Sequence, residues 1–129
     1  EKDETIIEKK FREMLEHYKL EYTPQFYIDG KFFDFYTEGV LIEINGDFYH
    51  ANKLFYNPES ILNFPGSLIS TTAKRIWERD ALKRSIANYY NYDVIYIWEN
   101  EIDKCKTHTQ LYNLFIERME LRNVYDQPI

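Results

Sequence analysis

The run Lys31-Phe32-Phe33-Asp34-Phe35-Tyr36-Thr37-Glu38-Gly39-Val40-Leu41-Ile42-Glu43-Ile44-Asn45 decides the fold. Two short segments of aromatic and branched residues flank a turn containing Gly39, which is the pattern of an antiparallel hairpin. Successive side chains of a strand point to opposite faces. Alternation sends Phe33 and Phe35 one way and Phe32, Asp34 and Tyr36 the other. On the second strand Leu41, Glu43 and Asn45 share a face, and Ile42 and Ile44 take its reverse. With Phe33, Phe35, Ile42 and Ile44 as the core face, Asp34, Glu43 and Asn45 stand together on the opposite face of neighbouring strands. Two carboxylates at such range repel unless a cation lies between them. A hard divalent ion such as Mg²⁺ takes oxygen ligands of this kind, with substrate phosphate completing its shell. His50 follows in Gly46-Asp47-Phe48-Tyr49-His50. An imidazole titrates near neutral pH and is suited to take a proton from an attacking water.

Outward from this centre, residues 4–19 read as an amphipathic helix, with Ile7, Phe11, Met14 or Leu15, and Tyr18 at spacings of three and four. Pro24 separates that helix from an extended run, Gln25 to Ile28, and Asp29-Gly30 marks a tight hairpin turn. Gly46 reads as a bulge or strand end. Residues 51–69 read as a long loop with at most one turn of helix, of the length that usually serves function. Thr71 or Thr72 caps a helix running to about Tyr90, Asp93 to Trp98 is a buried strand, and Thr109 to Leu121 is a last amphipathic helix. The expected fold is α/β, a mixed sheet of about four strands flanked by helices.

The 129 residues suit one domain, and with 44% hydrophobic residues they can bury a core. Cys105 is the only cysteine, which excludes an intrachain disulfide and a Cys-rich zinc site and points to a reducing compartment. No apolar run approaches the roughly 20 residues of a membrane span, and no signal peptide is visible. The first residue is Glu1 and not Met, so the chain reads as an excised domain of a longer protein or as one that has lost its start. A net charge of −6 argues against a nucleic-acid binder, since phosphate contact usually wants a basic surface. The cations are clustered, however: Lys74, Arg75, Arg79, Lys83 and Arg84 crowd one segment, with Glu78 and Asp80 among them. They are the expected phosphate-facing residues. Taken singly, each candidate has a plainer reading: Asp34 and Glu43 as solvated strand carboxylates, His50 as a loop residue, Glu8 as the wet side of a helix, Asp80 as an i,i+4 partner of Arg84.

In order along the chain they say more. Asp34, then a strand ending Ile42-Glu43-Ile44-Asn45-Gly46-Asp47-Phe48-Tyr49-His50, resembles the heart of the very-short-patch-repair endonucleases. Trp77-Glu78-Arg79-Asp80 is similar to that family's Glu-Arg-Asp helix. Val94-Ile95-Tyr96-Ile97-Trp98-Glu99 is similar to its final strand, and Ile7-Glu8-Lys9-Lys10 to its N-terminal stretch. The family belongs to the PD-(D/E)xK superfamily, and the phage and intron homing branch with a Glu, Asp, His, Asp set is the nearest. The resemblance implies a restriction-endonuclease-like sheet and a Mg²⁺-dependent endodeoxyribonuclease using one or two ions. Asp34 and the backbone carbonyl of Ile44 would ligate metal, His50 would be the general base, and Glu8 and Asp80 would orient the base or the attacking water. Glu43, Asn45 and Asp47 would play supporting parts.

This sequence departs from the pattern in four places. Asn45 replaces the first histidine of a His-Gly pair, the Glu43-Ile44-Asn45 segment lacks the motif's lysine, Phe33 stands where a proline precedes the Asp, and no structural zinc site is present. DNA is the implied partner, in a bacterial or phage-infected cytoplasm, with site recognition supplied by a separate region. The only amide-rich segment suited to reading bases is the 51–69 loop, with Asn52, Asn57, Asn63 and Tyr56. The alternative function is a nucleic-acid-binding module that keeps the nuclease fold with incomplete chemistry.

Overall fold

Residues 3–122 are described by the computed structural model. Helix α1 (Ile6–His17) leads into strands β1 (Tyr22–Ile28), β2 (Lys31–Thr37) and β3 (Val40–Asn45). A two-residue ribbon, β4 (Ile61–Leu62) with β5 (Thr71–Thr72), precedes α2 (Ala73–Tyr89). Strand β6 (Val94–Trp98), the short α3 (Glu99–Lys104) and α4 (His108–Leu121) complete the chain. The main sheet has the order β1-β2-β3-β6, antiparallel across the first two pairs and parallel between β3 and β6. It is the mixed four-stranded α/β sheet expected. No helix among the described residues is long and apolar enough to cross a membrane.

Both hairpin turns follow from local chemistry. Asp29 and Gly30 have φ of 45° and 86°, and Glu38 and Gly39 have 50° and 79°. Paired positive φ values are what two-residue hairpin connections need to match the strand twist. Gly46 proves to be a strand end, because β3 stops at Asn45. Pro24 does not end an element as expected. It lies inside β1, paired with Phe35, and β1 is an edge strand, where a missing N–H breaks no ladder on the open side. The 51–69 loop likewise contributes β4 instead of a helical turn.

The sheet carries a core on each face. On one side Phe11, Met14 and Leu15 of α1 and Leu111 and Phe115 of α4 pack on Phe35, Ile42, Ile44, Ile95 and Ile97. On the other, Ala87 of α2 packs with Phe33, Leu41, Val94 and Tyr96. Phe33 and Phe35 therefore face opposite ways, contrary to simple alternation. The reversal falls at Asp34, where the β2–β3 ladder ends at Phe35 and where Gln25, across from Asp34 on β1, sits in the left-handed region at φ 50°.

Candidate active site

The break in β2 leaves Asp34 aimed sideways at β3 instead of out of the sheet. Its Oδ2 accepts the backbone N–H of Ile44 at 2.8 Å, while its own N–H donates to Glu43 Oε1 at 3.0 Å. Both acids are 5% exposed, so neither is the solvated strand carboxylate of the plainer reading. Glu43 Oε2 accepts from Lys83 Nζ of α2 at 2.7 Å, and that ammonium stands 4.7 Å over the Phe33 ring. Burial pushes the Glu43 carboxyl up to about 7, the charge of Asp34 adds to the rise, and Lys83 opposes it. Tyr96, the register partner of Glu43 on β6, has its phenol pushed up first by burial and then by the nearby Glu43 carboxylate.

Helix α2 brings a second pair to the same face. Ala73, Ile76, Asp80, Lys83 and Ala87 recur at spacings of three and four and form its inward stripe; all but Lys83 are buried. Asp80, 7% exposed, meets His50 with 2.8 Å between Oδ2 and Nδ1. Arg79 Nε lies 3.6 Å from the other Asp80 oxygen. A carboxylate on Nδ1 holds that nitrogen protonated and leaves Nε2 as the proton acceptor. Residues three apart on a helix stand about 5–6 Å apart at Cβ. The Asp80–His50 pair and the Lys83–Glu43 pair are thus one helical turn apart, on one side of the sheet. His50 is closed in by Trp98, whose ring meets it edge-on with centroids 6.4 Å apart.

Between these pairs lies Asn45, on the same side of β3 as Glu43 and next to Trp98 in the parallel register. It is 1% exposed, and neither Nδ2 nor Oδ1 has a hydrogen-bond partner or contact with solvent. Among the described residues no three His, Cys, Asp or Glu side chains gather as a metal cluster. A cation here would draw on Asp34 and Glu43 together with neutral oxygens. Buried carboxylates beside an orphaned amide oxygen are the hard donors that Mg²⁺ accepts, so the residues fit that ion.

The other expected residues divide. Asp47 is committed to the loop: its N–H donates to Glu99 Oε1 at 3.0 Å and its Oδ1 accepts from Asn52 Nδ2 at 2.8 Å. Glu8 is 3% exposed, not on a wet face. Its carboxylate accepts from the Thr5 hydroxyl at 2.9 Å and closes the capping box of α1, which packs on the opposite core. Asp80 meets His50 and Arg79 rather than serving only as a helix-surface partner of Arg84. Lys74, Arg75 and Arg79 are exposed. Lys83 is turned inward onto Glu43, and Arg84 is half-buried. In the loop, the buried Asn52 amide donates to Asp47 and accepts from the Leu54 N–H, and Asn57 Oδ1 accepts from the Glu59 N–H, so both side chains make bonds within the loop. Lys83 and Tyr96 are the site residues that sequence reasoning missed in these roles; the charge at an inward helical position was the available signal for Lys83. No family model matches the chain, and the comparison with curated proteins finds no match.

Proposed function

We propose that this face carries a Mg²⁺-dependent endonuclease site that hydrolyses DNA phosphodiester bonds with water as nucleophile, of the homing or repair type implied by the resemblance. The observation that carries the reading is the stripe on α2 that sets the His50–Asp80 pair one turn from Asp34, Glu43 and Lys83. His50 Nε2 takes the proton from water, and Asp80 fixes the ring and stabilises the imidazolium that results. Asp34, held by the Ile44 N–H, and the Ile44 carbonyl would hold the ion. Bound there, Mg²⁺ would supply Lewis-acid stabilisation of charge on the phosphoryl oxygens. Lys83 stands in, from the helix, for the lysine that the strand lacks. Lys74, Arg75 and Arg79 would contact phosphates on either side, and sequence choice would come from a separate region. Glu8, which also closes the capping box of α1, would orient the base or the attacking water.

The second reading, a binding module with incomplete catalysis, is favoured by one feature: the Lys83 ammonium already neutralises Glu43. Plasmid cleavage with and without Mg²⁺ separates the two. Wild type should nick or cut only with the ion, and Asp34→Ala should lose this. Equal cleavage by Asp34→Ala at saturating Mg²⁺, or none by wild type, refutes the nuclease assignment.

A further inference from the structure

A buried amide with neither atom bonded is unusual, because each unsatisfied polar group loses its hydration without compensation. Asn45 is in that condition between a carboxylate pair and a His–Asp pair. Ordinary packing does not require it there. Its neighbours on the strand are Ile44 and Glu43, and an apolar side chain would sit against Trp98 with no orphaned atoms. The chain keeps a polar group at the one place where its own atoms do not satisfy it.

We propose that Asn45 is a ligand of the divalent cation, contributing its side-chain oxygen beside Asp34. The proposal rests on the metal-dependent reading above and adds a residue for which the resemblance offers no such role. Three observations lead to it. Asp34 is fixed to the backbone of Ile44, the residue adjacent to Asn45, so its carboxylate lies along the strand that carries the amide. The carboxylate oxygens of Glu43 are already engaged by the Asp34 N–H and by Lys83, which limits what Glu43 can give to an ion. Asn45 Oδ1 itself is a buried neutral oxygen with no hydrogen-bond partner. Amide carbonyls serve hard cations in this way. Mg²⁺ holds its oxygen ligands at about 2.1 Å and keeps part of its shell for water and substrate phosphate.

The test uses the whole chain without nucleic acid: calorimetric titration with Mn²⁺ and thermal denaturation of the metal-free protein, for wild type, Asn45→Leu, Asn45→Asp and Asp34→Ala. Asn45→Leu should raise the Tm of the metal-free protein by about 4 °C, since an unsatisfied group is removed. It should also weaken Mn²⁺ at least about tenfold, the lower end of what lost metal-site support brings. Asn45→Asp, which keeps an oxygen in place, should bind Mn²⁺ as tightly as wild type or more tightly. Wild-type affinity in Asn45→Leu, with Asp34→Ala unable to bind, overturns this inference and leaves the metal site standing. Loss of binding in Asn45→Asp as well as Asn45→Leu, with a lowered Tm in both, makes Asn45 structural and overturns it too. Absence of Mn²⁺ binding by wild type overturns both the inference and the reading beneath it.

Discussion

Replacing Lys83 by Met removes the ammonium from Glu43 and from the Phe33 ring while keeping most of the aliphatic stem. Breaking a buried ion pair by deleting one partner ordinarily costs about 3–5 kcal/mol, because a charge is left uncompensated. Here the penalty is capped, since the carboxyl can take a proton: it titrates at about 7 even with Lys83 in place, and Lys83 is what holds it that low. At pH 5 Glu43 is protonated in both proteins, and the variant loses the ammonium's contact with the ring and its hydrogen bond to the neutral carboxyl, about 2 kcal/mol together. Each pH unit above the folded pKa stabilises the wild type by about 1.4 kcal/mol relative to a carboxyl that stays protonated. At pH 8 the variant should therefore be weaker by about 1 kcal/mol more than at pH 5. Urea unfolding at the two pH values, with unchanged m-values, measures the difference. In a Glu43→Gln background the pH-dependent part should vanish. A penalty of 3–5 kcal/mol at both pH values would mean that Glu43 is ionised at pH 5, and the argument from burial would fail.

Three further outcomes are expected. Glu43 is raised in the folded state, so its contribution is fully present below its unfolded value of 4.5 and is lost as pH climbs through about 7; the size is about 3 kcal/mol, and Glu43→Gln should flatten that part of the wild-type stability–pH curve in urea titrations. Asp80→Asn turns the acceptor on His50 Nδ1 into a donor, which places the imidazole proton on Nε2; kcat for cleavage should fall about 10²–10⁴-fold with little change in Mn²⁺ affinity, and a variant of wild-type kcat would remove His50 from the chemistry. Glu8→Ala opens the capping box of α1 and should lower stability by about 1 kcal/mol and lower kcat as well, whereas an intact kcat would leave Glu8 as a capping residue alone.

Sequence alone displays most of this fold because its strongest signals are local. Asp29-Gly30 and Glu38-Gly39 announce turns whose backbone needs positive φ, and the structure has it at all four residues. Misreadings fall where a distant partner decides. Pro24 belongs to a strand only because β1 is an edge, which no local pattern declares. Phe33 leaves the face of Phe35 where the ladder to β3 gives out, a break that depends on pairing across strands. The ribbon of β4 and β5 has two residues in each strand, too few for any period to emerge. Glu8 was legible as a capping residue from Thr5-Ile6-Ile7-Glu8, the Thr-x-x-Glu spacing in which the two side chains bond to each other's backbone. Lys83 reads as a phosphate contact when only charge is considered, yet the spacing Ile76, Asp80, Lys83, Ala87 already turns it inward.

That spacing also separates the two faces of the sheet by purpose. Under α1 and α4 an apolar cluster runs from Phe11 and Leu15 to Ile97 and Phe115, and the one buried charge of α1, Glu8, is tied into its capping box. Under α2 the buried or half-buried set includes Glu43, Asn45, Asp80 and Lys83. A helix selected only to cover a sheet would place leucine or isoleucine where α2 places Asp80 and Lys83, since local pattern and burial normally agree. The disagreement on this face coincides with the break at Asp34 that turns a carboxylate toward β3. Stability can rest on the cluster under α1 and α4. The α2 side then remains free to hold charges in strained balance, with Lys83 and His50 each matched to one acid and the Asn45 amide left for a ligand that the chain itself does not provide.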